Sequence, residues 1–205
     1  DFYTATSRTP AVYRGNPFVV EVAVAYGRGN GSRIEVDEDG HLIRRGDAPA
    51  AAREAPARLL RFANRVPLLY QQSHCASYRA VTELHWSRYG LDQPAGGLPI
   101  GPLTILVHVA SVWVPFTSES KDAIASYDEI DRELELALQS AGRALAGHIR
   151  TTRRLERELE RRSEIERYLP HVAGALAELL ELDDRDRDRT EARLADLVHR
   201  ARRIP

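Results

Sequence analysis

From Tyr127 to Leu169 the chain holds no proline, and only Gly142 and Gly147 weaken an otherwise helical pattern. At 1.5 Å per residue that stretch makes a helix roughly 60 Å long, far longer than a globular core can cover. Leu134, Leu138, Ala141, Leu145, His148, Thr152, Leu155 and Leu159 recur in alternating steps of four and three, a heptad-like seam. The seam is mixed rather than solidly leucine. It predicts a helix that packs on a sheet at its start and continues as a stalk. Arg and Glu dominate from Arg150 to Arg167, many of them four apart, which supports a solvated helix.

What leads into that helix is nearly as constrained. Pro102 to Val114 is almost continuously apolar, with ILVHVASVWV at its heart, and predicts a central strand buried on both faces. Between strand and helix lies WVPFTSESKDAIA, residues 113–125. Its Lys121 is the only lysine among the 29 Lys plus Arg of the chain. Arginine serves wherever a cation only has to be positive. A surviving lysine points to a task for a compact ammonium on a flexible stem, and binding one phosphate as a point charge is the commonest. Chance survival on a solvated loop would look the same.

Earlier in the chain, Asp1 to Arg14 reads as an extended edge strand, and Gly15-Asn16-Pro17 as a turn. Phe18 to Tyr26 alternates, with Phe18, Val20, Val22, Val24 and Tyr26 on one apolar face. Gly27 to Gly31 is a loop. Ser32–Asp37 and His41–Arg45 form an exposed hairpin around Asp39-Gly40, and Asp47 to Pro56 is a linker. Leu59 to Val66 predicts a strand with Leu60, Phe62, Asn64 and Val66 on one face. Ser73 caps a helix running to about Arg88 with Ala76, Ala80, Val81 and Leu84 as its stripe, and Gly90 ends it. Gln93 to Pro102 is a loop. Beyond the long helix, Pro170 kinks or ends it and His171 to Leu182 is a short apolar helix. DDRDRDR (183–189) is a charged loop, and Asp188 with Glu191 caps a last helix ending near Arg203.

A hydrophobic share of 43% with a net charge of −1 fits a globular chain with no global basic field to advertise nucleic acid. A single Cys75 excludes an internal disulfide and, with no signal peptide, points to the cytoplasm. No apolar run approaches the roughly 20 residues of a membrane span. There is no Met, so the chain reads as a piece of something longer. No metal centre is expected, because the seven His do not pair at ligand spacing. His108, on an apolar strand, reads as a satisfied core residue. Gly27-Arg28-Gly29-Asn30-Gly31 precedes a hairpin rather than a helix, so it is no phosphate loop. Trp86-Ser87-Arg88-Tyr89 mixes aromatics with a cation, a set that can stack on bases and touch phosphate; a helix end packed on the core is the plainer reading.

At these residues the chain resembles a known family. GNPFVVEVAVAYG (15–27), LLRFANRVPLLY (59–70), HWSRYGL (85–91), GGLPIGP (96–102), LVHVASVWVPFTSESKDAIA (106–125) and ERYLPHVAGALAELL (166–180) are similar to the B subunit of DNA topoisomerase VI. The resemblance covers most of the chain. It implies the family's transducer region: an α+β, ribosomal-protein-S5-domain-2-like sheet with helices on one face and a left-handed crossover, then a long stalk helix and C-terminal helices. On that basis residues 1–126 are the transducer domain, 127–169 the stalk and 170–205 a C-terminal helical region.

The resemblance also implies function. Lys121 matches the family's switch lysine, which contacts the γ-phosphate of ATP. Trp86, Arg88 and Tyr89 fall on a WKxY-type stretch implicated in DNA contact, with Ser87 where the family has Lys. The expected activity is that of an ATP-dependent type IIB DNA topoisomerase, as part of a heterotetrameric complex. ATP and Mg²⁺ would be bound mainly upstream of this chain. The expected partners are double-stranded DNA, the DNA-cleaving A subunit of topoisomerase VI and a second copy of the B subunit, with no membrane. No tyrosine here is expected to cleave DNA. A transducer from a gyrase or mismatch-repair ATPase, and a structural adaptor with Lys121 incidental, stay open as alternatives.

Overall fold

The computed structural model describes residues 2–27, 33–36, 42–45 and 55–201. The chain divides into two compact units, residues 1–31 with 48–150 and residues 32–47 with 151–205. The first is α+β. Its strands are β1 (Phe2–Ser7), β2 (Ala11–Tyr13), β3 (Asn16–Tyr26), β6 (Arg58–Ala63), β7 (Val66–Pro67) and β8 (Leu103–Ser111). They form one sheet in the order β1-β3-β8-β6-β7, with β2 also paired to β3. The lead-in is thus two strands, both antiparallel to β3. The turn lies at Arg14-Gly15, and β3 already begins at Asn16.

Alternation in β3 follows the sequence pattern: Phe18, Val20, Val22 and Val24 are all buried. β8 is central, antiparallel to β3 and parallel to β6. It is not buried on both faces. Leu103, Ile105, Val107 and Val109 are sealed, while Thr104, Leu106, His108 and Ala110 are half-open. The apolar run hid that difference because its half-open face still carries Leu106 and Ala110. On this face His108 accepts the Arg65 amide at 3.0 Å through Nε2 and holds Glu21 at 2.8 Å through Nδ1. It is satisfied, but outside the sealed core.

The strand expected over Leu59–Val66 is shorter and inverted. It stops at Ala63 and reverses through Asn64 and Arg65, both at positive φ (47° and 68°), into β7. Its sealed positions are Arg61 and Ala63, whereas Leu60 and Phe62 are half-open and Asn64 and Val66 exposed. The expected single helix to Arg88 is also broken. A 3-10 turn at Gln72–His74 precedes α1 (Ala76–Glu83), and a second, Trp86–Tyr89, follows it. The N-cap of α1 is Cys75, and Ser73 instead contacts His74. Gly90 does end the segment, in the left-handed conformation at φ 86°.

α2 (Asp128–Leu180) lays Ile130, Leu134, Ala137, Leu138, Ala141, Leu145 and Ile149 into the first unit's core. This is the first half of the predicted seam. Arg8 at the end of β1 pairs with Glu133 at 2.7 Å. The helix runs through Pro170 and stops at Leu180, where Glu181 is left-handed (φ 50°) and Leu182 N–H reaches the Ala177 carbonyl at 2.9 Å. That is a Schellman ending without glycine.

In the second unit the expected hairpin is β4 (Arg33–Val36) against β5 (Leu42–Arg45). Its Asp39-Gly40 turn, and the linker up to residue 54, lie outside the described residues. The last helix, α3 (Asp184–Ala201), starts earlier than expected. Asp183 caps it by accepting the Asp186 amide at 2.7 Å, so most of DDRDRDR is helical and Asp188 is not the cap.

Candidate functional site

The Lys121 loop leaves β8 and folds back on itself before α2. Thr117 N–H bonds the Ala123 carbonyl at 2.9 Å, and Ala125 N–H bonds that of Pro115 at 2.7 Å, with Phe116 bridged to Ile124. At the tip, Lys121 N–H closes a turn on the Ser118 carbonyl at 3.2 Å, and Ser118 and Ser120 hydroxyls lie 2.8 Å apart. Lys121 sits at φ 56°, a left-handed conformation that a side-chain-bearing residue adopts only when its surroundings impose it. Its side chain is exposed and, among the described residues, has no partner. The return limb is the reverse: Ala123 and Ile124 are fully buried.

Both ends of the loop are tied to the β2–β3 hairpin. Tyr13 stacks on Trp113 (6.4 Å) at the entry and packs at a tilt against Tyr127 (4.4 Å) at the exit. Arg14 lies over the Tyr13 and Tyr127 rings at 5.4 and 5.5 Å. Burial, then the neighbouring Tyr127, push the Tyr13 hydroxyl up to about 12, so it stays neutral. Just past the loop, Ser126 donates to the Asp131 carboxylate and receives Arg79 Nη1 at 3.2 Å. Burial raises the Asp131 carboxyl, against the Ser126 hydrogen bond and the Arg79 charge. The loop is a stiff finger with an exposed cation at its tip.

The aromatic stretch is placed differently. Trp86 has no exposed surface, and its indole N–H is spent on the Val81 carbonyl at 2.8 Å. Tyr89 is half-buried, edge-on to Trp86 at 6.0 Å. Arg88 is exposed, on the rim of a cleft of about 510 Å³ that also takes in Arg79, His85, Asp131 and Arg132. Glu83, Asp128 and Glu135 line it too, so its charge is mixed and not that of a phosphate trough. The plainer reading of the stretch as core packing therefore fits Trp86 and Tyr89, and Arg88 alone faces outward. Sequence reasoning missed Tyr13 and Cys75 beside the loop, and Arg61 buried in β6. An arginine inside the apolar strand LLRFA was the available signal for Arg61.

A family model described as "Topoisomerase VI B subunit, transducer" matches residues 1–162. The B subunit of type 2 DNA topoisomerase 6 from Methanosarcina mazei is 43% identical over 202 residues, 98% of this chain and 29% of that protein. Its counterpart in Methanosarcina acetivorans is 44% identical over 183 residues, 89% of this chain and 26% of that protein. The one in Natronomonas pharaonis is 43% identical over 199 residues, 97% of this chain and 22% of that protein. The chain spans less than a third of the length of these curated relatives.

Proposed function

This chain belongs to the topoisomerase VI B-subunit transducer family, and on that premise we propose that it relays ATP binding and hydrolysis in a type IIB DNA topoisomerase to double-strand passage. The observation that carries the reading is an exposed, sole lysine on a finger whose stem is buried and bonded. Such a finger cannot move without moving the sheet and the start of α2. Lys121 contacts the γ-phosphate of ATP held by residues outside this chain. A charge-assisted hydrogen bond of that kind contributes about 1.5–3 kcal/mol. Present with ATP and lost after phosphate release, it biases two domain orientations.

Among the described residues no group of His, Cys, Asp and Glu gathers to hold a metal. In this reading Mg²⁺ is bound with ATP, by residues outside the chain. No described helix is long and apolar enough to cross a membrane, and the cytoplasm is the compartment we assign. The functional division is 1–126 transducer, 127–169 stalk and 170–205 partner-docking region. Leu179, Leu180 and Leu197, all exposed, offer an apolar surface to the DNA-cleaving A subunit. A second B subunit joins on ATP binding. Arg88, rather than Trp86 or Tyr89, makes the DNA contact in its stretch.

The test is Lys121→Ala in the complete B subunit with its DNA-cleaving partner. ATP-driven strand passage falls about ten- to a hundredfold, the equivalent of the lost bond. ADP affinity, which lacks the contacted group, is unchanged. Wild-type passage rates in Lys121→Ala sink the proposal.

A further inference from the structure

β6 stops before its neighbour does. Its parallel pairing with β8 ends at Ala63 opposite Val109, whereas β8 runs on to Ser111 and from there into the Lys121 loop. Instead of continuing alongside, the β6 chain turns away at Asn64, φ 47°. The Asn64 side chain then does what a strand neighbour would do. Its Nδ2 donates to the Ser111 carbonyl at 2.8 Å, and its Oδ1 accepts the Ser111 amide at 2.9 Å. Its own amide bonds the Val109 carbonyl at 3.0 Å.

We propose that Asn64 is a positioning residue for Lys121, clamping the root of its loop through Ser111. The amide and carbonyl of Ser111 belong to the two peptide groups on either side of its Cα. One side chain therefore holds both, and the second of them leads into Val112. Only a primary amide offers a donor and an acceptor side by side. Asparagine is also one of the few side-chain-bearing residues that tolerate the left-handed region. The turn at position 64 uses both properties at once, which a residue serving only to reverse the chain need not do.

Ser111 is held from its other side as well. Its hydroxyl donates to the Pro17 carbonyl of β3 at 2.8 Å and accepts the Trp113 amide at 3.1 Å. Trp113 in turn stacks on Tyr13 at the entry of the loop. The knot thus joins β6, β8 and β3 to the entry limb. Next to Asn64, the Arg65 amide adds a tie to His108 of β8, which holds Glu21 of β3. The entry limb cannot swing about Ser111 without breaking bonds to both flanking strands. The effect of the clamp on strand passage rests on the reading of Lys121 given above. The clamp on Ser111 does not.

The experiment uses the complete B subunit with its DNA-cleaving partner. Asn64→Gly leaves the left-handed turn accessible and removes both side-chain bonds. Amide hydrogen exchange reads the clamp. The amides of Ser111, Trp113, Thr117 and Ala125 should exchange severalfold faster than in wild type, and those of the β1–β3 ladder should not change. Unchanged exchange at the four amides overturns the clamp. Equal acceleration across the sheet makes Asn64 a general stability residue and overturns it too. Asn64→Asp keeps one acceptor but sets a carboxylate oxygen against the Ser111 carbonyl, so it should loosen the same amides at least as much. Wild-type exchange in Asn64→Asp overturns the need for the amide donor. Should Asn64→Gly not fold, Asn64→Asp serves for every reading. Supercoiled DNA relaxed per ATP hydrolysed reads the positioning role, and should fall severalfold in Asn64→Gly. An unchanged ratio beside loosened amides overturns that role. In a Lys121→Ala background Asn64→Gly should bring little further loss, because its effect passes through Lys121; additive losses overturn the role as well. Lys121→Ala alone, at the wild-type rate, sinks the switch reading, and the exchange data still decide the clamp.

Discussion

Tyr89 fills the space that a side chain at Gly142 would need: a Cβ there would stand 2.9 Å from Cδ2 and Cε2 of the ring. The glycine in the middle of α2 is therefore a packing device, tying the Trp86–Tyr89 turn to the helix.

Two substitutions in the same helix should then go opposite ways. Alanine is worth about 1 kcal/mol over glycine inside a helix. Nothing lies within 4 Å of a Cβ at Gly147, so Gly147→Ala should stabilise by about that amount. Gly142→Ala gains the same propensity but overpacks against Tyr89, at a cost of about 1–3 kcal/mol, and should come out neutral to destabilising. In a Tyr89→Ala background its sign should reverse. Denaturant midpoints of the four variants measure this. Equal stabilisation by both alanines with Tyr89 present would remove the packing argument.

Trp86 and Arg88 should separate folding from DNA contact. Trp86→Ala empties a sealed site and should cost about 3–5 kcal/mol of stability. Any loss of DNA binding in it would follow from unfolding. Arg88→Ala should leave stability within about 0.5 kcal/mol, weaken DNA binding alike on all sequences and lower the salt slope by about one ion. A salt slope unchanged from wild type would mean that Arg88 touches no phosphate.

Much of the architecture was legible because burial imposes simple periods. The β3 alternation, the β4–β5 pairing, the central place of β8 and the first half of the α2 seam all follow from residues repeating every two or every three and four. What escaped was decided by backbone conformations that side chains do not advertise. Asn64-Arg65 turns through positive φ at both positions without a glycine, so LLRFANRV reads as one strand. Likewise Glu181 ends α2 in a left-handed conformation, while Pro170, the expected terminator, is carried inside the helix. At the candidate site the exposed element was readable, since a sole lysine is countable. Its buried support was not, because Tyr13 and Cys75 reach the loop from distant parts of the chain, one at its two ends and the other at Ile124.

Acid should loosen the first unit through His148. Burial lowers its pKa, and its ring stacks on Phe2 at 4.9 Å. The folded chain thus holds the proton less well than the unfolded one. Below the ordinary histidine value of about 6.5 the unfolded state takes up the proton first, so stability falls as pH drops towards the folded value. His148→Phe keeps the stack and should flatten that fall. Unfolding midpoints of both proteins followed from neutral to mildly acidic pH check it, and parallel curves would show that His148 carries none of the dependence.

Lys121→Arg asks the most of the proposed function. Arginine is the cation this chain uses everywhere else, so an ordinary surface position should accept it unchanged. A γ-phosphate site should not, because the guanidinium is wider than an ammonium and aims its donors in a fixed fork. The backbone does not confuse the comparison. Lys, Arg and Ala must all adopt the left-handed φ of 56° at this position, and they differ little in what that costs. Folding should be equal in all three, since the side chain is exposed and the buried limb begins two residues later at Ala123. We expect relaxation of supercoiled DNA by the Lys121→Arg complex to fall well below wild type while its ADP affinity holds. The decisive comparison is between ATP turnover and relaxation in wild type, Lys121→Arg and Lys121→Ala. Should the arginine variant relax DNA at the wild-type rate while the alanine variant fails, position 121 needs only a positive charge, and direct coordination of one phosphate by a compact ammonium would be wrong.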